Sequence, residues 1–250
     1  MNTSEIRELA ELLRQLKKTD KRFRVFGSDS HTYQLGPKLS EVELAEFEQT
    51  HRVRLPEDYR LFLHEVGNGG PGPYRAGAGP YYGLEPLQDA VEECDLSQPF
   101  PLVKAQAYSP EGGIENEVEV SNERDEYFGL LKLSEQGCGM AWYLVVNGPT
   151  YGLVWDGLGI AFEPTGLTFS QWYRRWVEKA LRVLGNEPLI ERISIGMTKE
   201  QVIEATGGNR KERKNEFSEN YYFEAPEIPA QIILNGENRV VEDIKPWLFI

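Results

Sequence analysis

The stretch Leu131-Lys-Leu-Ser-Glu-Gln-Gly-Cys-Gly-Met-Ala-Trp-Tyr-Leu-Val-Val-Asn-Gly148 is followed closely by Gly152-Leu-Val-Trp-Asp156. Its apolar run from Met140 to Val146 predicts one buried strand. The chain enters this strand through a Gly-Cys-Gly turn and leaves it through Asn147-Gly148. A second strand from Gly152 to Trp155 is predicted to pair back onto the first, so the pattern indicates a hairpin sheet.

A second stretch carries helix signals. Leu39-Ser-Glu-Val-Glu-Leu-Ala-Glu-Phe-Glu48 has Ser40 and Glu43 at the spacing of a capping box, which predicts a helix start. The next segment begins at Pro56, which suits a first helical turn. Gly67 is expected to end that helix in the left-handed conformation. The apolar face of the second helix is predicted to consist of Tyr59, Phe62, Leu63 and Val66.

The sequence of these stretches resembles that of the SMI1/KNR4 or SUKH family, whose members carry similar Gly-Cys-Gly, Val-Val-x-Gly, Gly-x-Val-Trp and Leu-Pro-x-Asp-Tyr segments. Together with Phe169-Ser-Gln-Trp-Tyr-Arg-Arg-Trp176, the resemblance covers about residues 39 to 180. It implies an α+β fold with a mixed sheet and flanking helices. It also implies a binding protein, because the family is known mainly for immunity proteins that neutralise toxins.

The remainder of the chain predicts a small appended unit. Ile193-Ser-Ile-Gly-Met-Thr-Lys-Glu-Gln-Val202 places Thr198 and Gln201 as a capping box, and three short strands should follow. This segment resembles the small two-layer α/β domain of SmpA/OmlA assembly proteins and β-lactamase inhibitory proteins. We therefore predict a domain at residues 1–186 and a helix-plus-three-strand domain at residues 187–250.

Composition narrows the compartment and the partner. Cys94 and Cys138 are the only cysteines, which fits a reducing compartment, and a single disulfide between them is the alternative. With no signal peptide or membrane span in the sequence, we expect a cytoplasmic protein. The net charge is -13, and the segment from Glu85 to Glu126 contributes -10 of it. Such a surface disfavours nucleic acid and anionic membrane and favours a cationic protein partner.

The segment Ile114-Glu-Asn-Glu-Val-Glu-Val120 alternates strictly and predicts a half-buried strand with a row of carboxylates on one side. A solvated face that aids solubility is the other interpretation of this charge. The predicted partner-binding residues are Glu115, Glu117, Glu119, Glu123, Asp125 and Glu126.

Catalytic and metal interpretations find little support. Gly67-Asn-Gly-Gly-Pro-Gly72 follows a helix, so it lacks the strand-turn-helix context of a phosphate loop. The histidines lack the spacing of a zinc site, and Asp29 and His31 are the one pair that could face together on a strand. Cys138 is expected to be a small packed residue. Four tryptophans are predicted to be core, with one or two at most exposed at an interface: Trp142, Trp155, Trp172 and Trp176.

These observations predict an α+β protein without catalytic residues, cofactor or metal. Its expected function is to bind and neutralise a cognate toxin with a basic surface in the cytoplasm. An intracellular scaffold or regulatory module is the alternative, and an enzyme would need a convergent polar site that the sequence does not show.

Overall fold

The computed structural model describes residues 3–70, 76–91, 95–108, 114–115, 127–158, 161–185, 192–206, 211–214, 221–224, 231–234 and 240–245. The helices are α1 (Thr3–Thr19), α2 (Ser28–His31), α3 (Glu41–His51), α4 (Glu57–Glu65), α5 (Phe169–Gly185) and α6 (Lys199–Thr206). The strands are β1 (Ala107–Tyr108), β2 (Ile114–Glu115), β3 (Leu130–Gly137), β4 (Met140–Val145), β5 (Leu153–Gly157), β6 (Phe162–Thr168), β7 (Lys211–Lys214), β8 (Tyr221–Glu224), β9 (Gln231–Leu234) and β10 (Val241–Lys245). This arrangement confirms the α+β class.

The central sheet has the strand order β3-β4-β5-β6. The predicted hairpin is confirmed, since β4 and β5 pair with Tyr143 opposite Trp155. The prediction of a mixed sheet is wrong for these strands, because every pair among them is antiparallel and neighbours in sequence are joined by short connections.

Strand β3 was missed by the sequence analysis. The Gly-Cys-Gly segment is the turn that joins β3 to β4, and the backbone φ angles are 55° at Cys138 and 77° at Gly139. Two consecutive left-handed residues are typical of a type I′ hairpin turn. Cys138 is exposed at this turn, so the expectation of a packed cysteine is wrong.

Both faces of the central sheet are buried. The helix-side core joins one face to α1, α4 and α5, and its members include Ile6, Leu9, Leu13, Leu16, Tyr59, Phe62, Leu131, Leu133, Leu144, Val154, Phe169, Tyr173 and Trp176. The loop-side core covers the opposite face and consists of Phe100, Leu102, Leu130, Ala141, Tyr143, Val145, Trp155 and Phe162. Burial on both faces explains why β4 is a continuous apolar run rather than an alternating one.

The predicted helix signals around α3 and α4 are largely confirmed. Ser40 and Glu43 form both hydrogen bonds of the capping box. The predicted left-handed φ angle at Gly67 is wrong, since the positive φ angle of 52° belongs to Gly69. The backbone N–H of Gly67 donates to the carbonyl of Phe62 at 3.2 Å, so the end of α4 is closed without a left-handed φ angle at Gly67.

The glycine-rich loop after α4 lies along the edge of the sheet, in its described part. Leu84 bridges Ser134 in β3, and the backbone N–H of Glu85 donates to the carbonyl of Leu133 at 2.8 Å. The hydroxyl of Ser134 donates to the carbonyl of Pro80 at 2.6 Å. This loop therefore covers hydrogen-bonding groups that an exposed edge strand would present to other chains.

The C-terminal part contains α6 and a second antiparallel sheet, with the order β10-β9-β8-β7. The capping box is confirmed: the N–H of Thr198 donates to Gln201 Oε1 at 2.8 Å, and the N–H of Gln201 donates to Thr198 Oγ1 at 3.3 Å. The sheet has four strands rather than the predicted three. Strand β7 was missed because Lys-Glu-Arg-Lys has no apolar alternation, as suits an edge strand.

Candidate functional site

The predicted acidic binding surface falls mostly outside the described residues. Glu115 belongs to β2, where it pairs with Ala107, and its backbone alone is described. The rest of the predicted set lies outside the described part of the chain: Glu117, Glu119, Glu123, Asp125 and Glu126. Their role as a partner surface stays a prediction.

An acidic groove lies elsewhere on the molecule, where α1, α4 and α5 meet. It encloses about 650 Å³ and is lined by Glu5, Glu8, Glu57, Asp58 and Arg174 among others. The guanidinium of Arg174 is already paired, at 3.2 Å from Glu8 and 3.5 Å from Glu178. The groove therefore adds to the negative surface of the protein.

Asp58 has a structural role in this acidic groove. Its carboxylate accepts hydrogen bonds from the N–H of Tyr59 at 2.9 Å and from the N–H of Ser170 at 2.9 Å. Because Ser170 lies in the first turn of α5, Asp58 caps that helix from a neighbouring one and fixes the two helices together.

A second cleft, which we call the indole cleft, opens on the helix side of the sheet. Its volume is about 260 Å³. The cleft is lined by Pro80 and Tyr81 of the glycine-rich loop, by Trp142 of β4, and by Thr165 and Leu167 of β6. Its α5 wall consists of Trp172, Arg175, Trp176 and Lys179.

The α5 wall follows from helical geometry. Residues 172, 175, 176 and 179 are spaced at i, i+3, i+4 and i+7, so they lie on one stripe of the helix. Trp172 packs toward Trp142 with ring centroids 6.1 Å apart, and Trp176 meets Tyr33 in a stacked contact at 6.5 Å. The indoles are thereby held in place, while Arg175 and Lys179 are exposed at the rim.

The indole cleft has charged groups in and beside it. Among the described residues that line it, the charged side chains are Arg175 and Lys179. The carboxyl of Asp156, opposite Trp142 in the sheet, accepts a hydrogen bond from Gln136 at 2.6 Å. Burial raises the pKa of Asp156, the Gln136 hydrogen bond opposes this, and Glu163 adds a smaller rise. Burial, and then Asp156, raise the pKa of Tyr81.

Two of the three cleft indoles have unsatisfied N–H groups. The Nε1 atoms of Trp142 and Trp176 are buried without a hydrogen-bond partner. An unpaired buried donor costs free energy, and native proteins carry few of them. Trp155 also has an unsatisfied N–H group, but it belongs to the loop-side core and does not line this cleft.

Sequence reasoning placed these tryptophans in the core and expected one or two at an interface. The structure agrees that Trp172 and Trp176 are buried, and it leaves Trp142 partly buried. The cleft itself was missed, together with Arg175 and Lys179. The spacing Trp-x-x-Arg-Trp-x-x-Lys along α5 was the available signal, since it places two indoles and two cations on one stripe.

The suggested acid/base pair does not form. Asp29 and His31 lie on the short helix α2 rather than on a strand, and Asp29 is exposed while His31 is fully buried. His31 Nδ1 accepts from the N–H of Tyr33 at 3.0 Å. Burial lowers the pKa of His31 to about 4, against smaller rises from the Gly79 backbone, Asp29 and Asp20. A neutral core histidine is thus the better description.

The described residues bear on two further interpretations, a metal site and a phosphate loop. The searched residues contain no group of three or more histidine, cysteine or acidic side chains that could hold a metal ion. Gly70 packs so closely on Gly77 that an added Cβ would come within 2.3 Å of the Gly77 Cα, which accounts for the glycine without a phosphate. Within the same described ranges, the helices are too short or too polar to cross a bilayer.

These features define an α+β domain whose sheet is covered by helices and whose surface carries two clefts of different charge. The chain belongs to the SMI1 / KNR4 family (SUKH-1), whose model matches residues 38–180. This match confirms the resemblance that the sequence motifs indicated. The resemblance of the C-terminal part to SmpA/OmlA proteins stays a prediction. Neither the curated proteins nor the solved structures contain a match to this chain.

Proposed function

We propose that this protein is an immunity protein that binds a cognate toxin one-to-one in the cytoplasm and blocks it without turnover. Membership of the SMI1 / KNR4 family over residues 38–180 is the observation that carries the proposal. Domains of this family are typically those of immunity proteins, and binding in such proteins is stoichiometric. The proposed mechanism is shape complementarity at a few buried anchors, with charge setting the rate of encounter.

The charge of the chain supports a basic partner. The net charge is -13, and the acidic groove of α1, α4 and α5 adds described carboxylates to the segment that contains Glu115, Glu117 and Glu119. A field of this sign accelerates association with a cationic protein and disfavours nucleic acid and anionic membranes. We therefore propose a toxin with a basic surface, and no direct binding to nucleic acid or membrane.

The first experiment identifies the partner. The purified chain is used to capture the product of the neighbouring gene, and toxin activity is then titrated with the chain. We expect protection to saturate near one equivalent. Protection at far below one equivalent would indicate turnover and overturn the binding mechanism. Capture of housekeeping proteins without any protection would favour the scaffold alternative instead.

A second experiment tests the acidic segment. Replacing Glu115, Glu117 and Glu119 by Lys changes the charge by six units and should slow association about tenfold or more at low ionic strength. The penalty should shrink as salt screens the field beyond roughly 8–10 Å. The control replaces the exposed Glu46, Glu200 and Glu204 by Lys, with the same change in net charge.

Stopped-flow mixing across a salt series separates the two interpretations of this charge, with circular dichroism as the test of folding. If the triple variant and its control associate at equal rates, the segment is a solvated face and is removed from the interface.

A further inference from the structure

We infer that residues 80–83 of the glycine-rich loop, which we call the aromatic turn, form part of a docking surface for a basic protein. In this inference Tyr81, Trp142 and Asp156 together receive one cationic side chain of the partner, an arginine. The inference rests on the proposed function and deepens it, because it names the surface that a basic toxin would contact.

The aromatic turn is closed at its base by a pair of backbone hydrogen bonds. The N–H of Gly77 donates to the carbonyl of Leu84 at 2.7 Å, and the N–H of Leu84 donates back to the carbonyl of Gly77 at 2.8 Å. The N–H of Tyr82 donates to the carbonyl of Glu135 in β3 at 3.3 Å. The shape of the turn is thus set before a partner arrives, and a preformed contact surface loses less entropy on binding.

The turn combines an unusual backbone conformation with an exposed ring. The φ angle of Tyr81 is 51°, which bulky side chains rarely adopt. Gly27 packs so closely on this residue that an added Cβ would come within 1.8 Å of the Tyr81 carbonyl oxygen. Tyr82 is 47% exposed, and its ring meets that of Phe26 edge-on, with centroids 5.1 Å apart. Strained residues cluster at functional sites, and tyrosines are frequent anchors of protein interfaces.

The sheet beside the turn decides the charge of the partner. Asp156 in β5 lies directly opposite Trp142 in β4 and Glu163 in β6, so the three side chains share one face. The Asp156 carboxylate accepts a hydrogen bond from the neutral amide of Gln136 at 2.6 Å. In the described part of the chain, no lysine or arginine pairs with Asp156 or Glu163. Like charges directly opposite each other destabilise a sheet, and a cation from a partner would offset this repulsion.

The surroundings of Asp156 favour arginine over lysine. Tyr81 and Trp142 both line the indole cleft. Burial, and then the charge of Asp156, raise the pKa of Tyr81, so this carboxylate lies within electrostatic reach of the phenol. A guanidinium stacks on an aromatic face while it donates two hydrogen bonds to a carboxylate, and an ammonium does not match this geometry. Arg175, on the α5 wall of the cleft, is the arginine of this chain that would compete for the position.

The direct test titrates the full ¹⁵N-labelled chain with three peptides. Gly-Ser-Arg-Ser-Gly is the probe, and in the controls its arginine is replaced by lysine or by citrulline, the neutral isostere. We expect the probe to shift the backbone signals of Tyr82 and Trp142, and to bind at least about fivefold more tightly than the citrulline peptide and about twofold more tightly than the lysine peptide. Equal binding of the arginine and citrulline peptides, or no shifts with the probe at about 10 mM, would overturn the inference.

Two variants that each remove one negative charge locate the contact. Asp156→Asn keeps the shape of the side chain and an oxygen that accepts from Gln136, and it should weaken probe binding at least about fivefold. The control Glu46→Gln, at an exposed position of α3, should change the affinity less than about twofold. Equal weakening in the two variants would mean that net charge alone attracts the probe, and the site would be rejected.

Arg175→Ala separates an arginine of the partner from the chain's own arginine. We expect the probe to bind wild type, and to bind Arg175→Ala equally or more tightly, because a repelling cation has been removed. If the probe binds Arg175→Ala but not wild type, the position belongs to Arg175 and the docking inference is wrong.

Toxin captured by the chain tests the surface as a whole. Tyr82→Ala and Asp156→Asn should each raise the dissociation rate about tenfold or more, with circular dichroism as the test of folding. The control is Tyr151→Ala, because Tyr151 is similarly exposed, at 45%, and its hydroxyl donates to the carbonyl of Arg54. This control should change the rate less than about twofold.

The toxin measurement also separates failure of this inference from failure of the proposed function. If wild type protects and both variants dissociate at the wild-type rate, the docking surface is wrong and the immunity proposal stands. If wild type gives no protection, the immunity proposal fails, and the peptide titration alone decides the arginine site.

Discussion

The two faces of the central sheet are buried in different ways. The helix-side core is closed by regular helices, and α1, α4 and α5 each contribute a periodic apolar stripe. The loop-side core is closed by the irregular segment that carries Phe100 and Leu102, together with residues of the strands themselves. A helix is stiff along its whole length, whereas a loop is held at separate points, so the faces should differ in their response to lost volume.

The loop is fixed on its face by hydrogen bonds to strand connections. The N–H of Phe100 donates to the carbonyl of Asn147 at 2.9 Å, and the Asn147 side chain donates to the carbonyl of Ser97 at 2.7 Å. Gly148 lies so near this segment that an added Cβ would come within 2.6 Å of the Phe100 carbonyl oxygen. The Asn-Gly pair after β4 therefore serves packing against the loop as well as the turn.

The largest effect is expected for matched truncations in the two cores. Phe62 and Phe100 are both fully buried, one in each core. Phe→Ala changes in cores cost about 3–5 kcal/mol, depending on how far the site can collapse. We expect Phe62→Ala near the upper end and Phe100→Ala near the lower end. Urea unfolding with unchanged m-values measures both. An equal cost would show that the loop is as rigid as the helices.

A second prediction concerns the pH dependence of stability, because the helix-side face of the sheet buries His31. Its pKa is about 4 in the folded protein and about 6.5 when unfolded, so the unfolded state binds the proton first as pH falls. Stability should therefore decrease between pH 6.5 and pH 4, by up to about 3 kcal/mol from this group. Above pH 6.5 the contribution does not change with pH.

Chemical denaturation at several pH values tests this prediction, with two histidine variants for comparison. His31→Gln removes the titrating group and should flatten the decrease. His51→Gln, at the half-buried end of α3, should keep the wild-type slope. If stability depends on pH equally in wild type and His31→Gln, the imidazole is already exposed to solvent in the folded protein.

The smallest effect is expected at the turn that joins β3 to β4. Gly139 has a φ angle of 77° and no atom within 4 Å of an added Cβ, so Gly139→Ala should cost only conformational energy, about 1–2 kcal/mol. The control Gly185→Ala, at the end of α5, should be neutral or stabilise by a few tenths of a kcal/mol.

Thermal unfolding of both glycine variants measures these differences. A register slip would reverse the faces of a strand, so Gly139→Ala should leave the near-ultraviolet spectrum of the buried aromatic residues unchanged. A changed spectrum would show that the turn, rather than the two cores, holds the register.

The features that were predicted correctly are those whose deciding interactions are local. Ile6, Leu9, Leu13 and Leu16 recur at helical spacing, and all four are buried on one face of α1. The capping boxes at Ser40 and Thr198 formed as expected, because their partners lie three residues away. Strand β3 was missed, since its polar Ser-Glu-Gln end lacks alternation and pairs with the distant loop at Leu84.

The sequence by itself determined the α+β class, the helices α3, α4 and α6, the β4–β5 hairpin and the family. These follow from periodicity, caps and turn residues that act within a few positions of one another. Tertiary structure alone decided the burial of His31, the closure of the loop-side core around Phe100 and the assembly of the indole cleft from Tyr81, Trp142 and α5. These depend on contacts between residues tens of positions apart, whose loop-closure entropy is offset only when the whole sheet has formed.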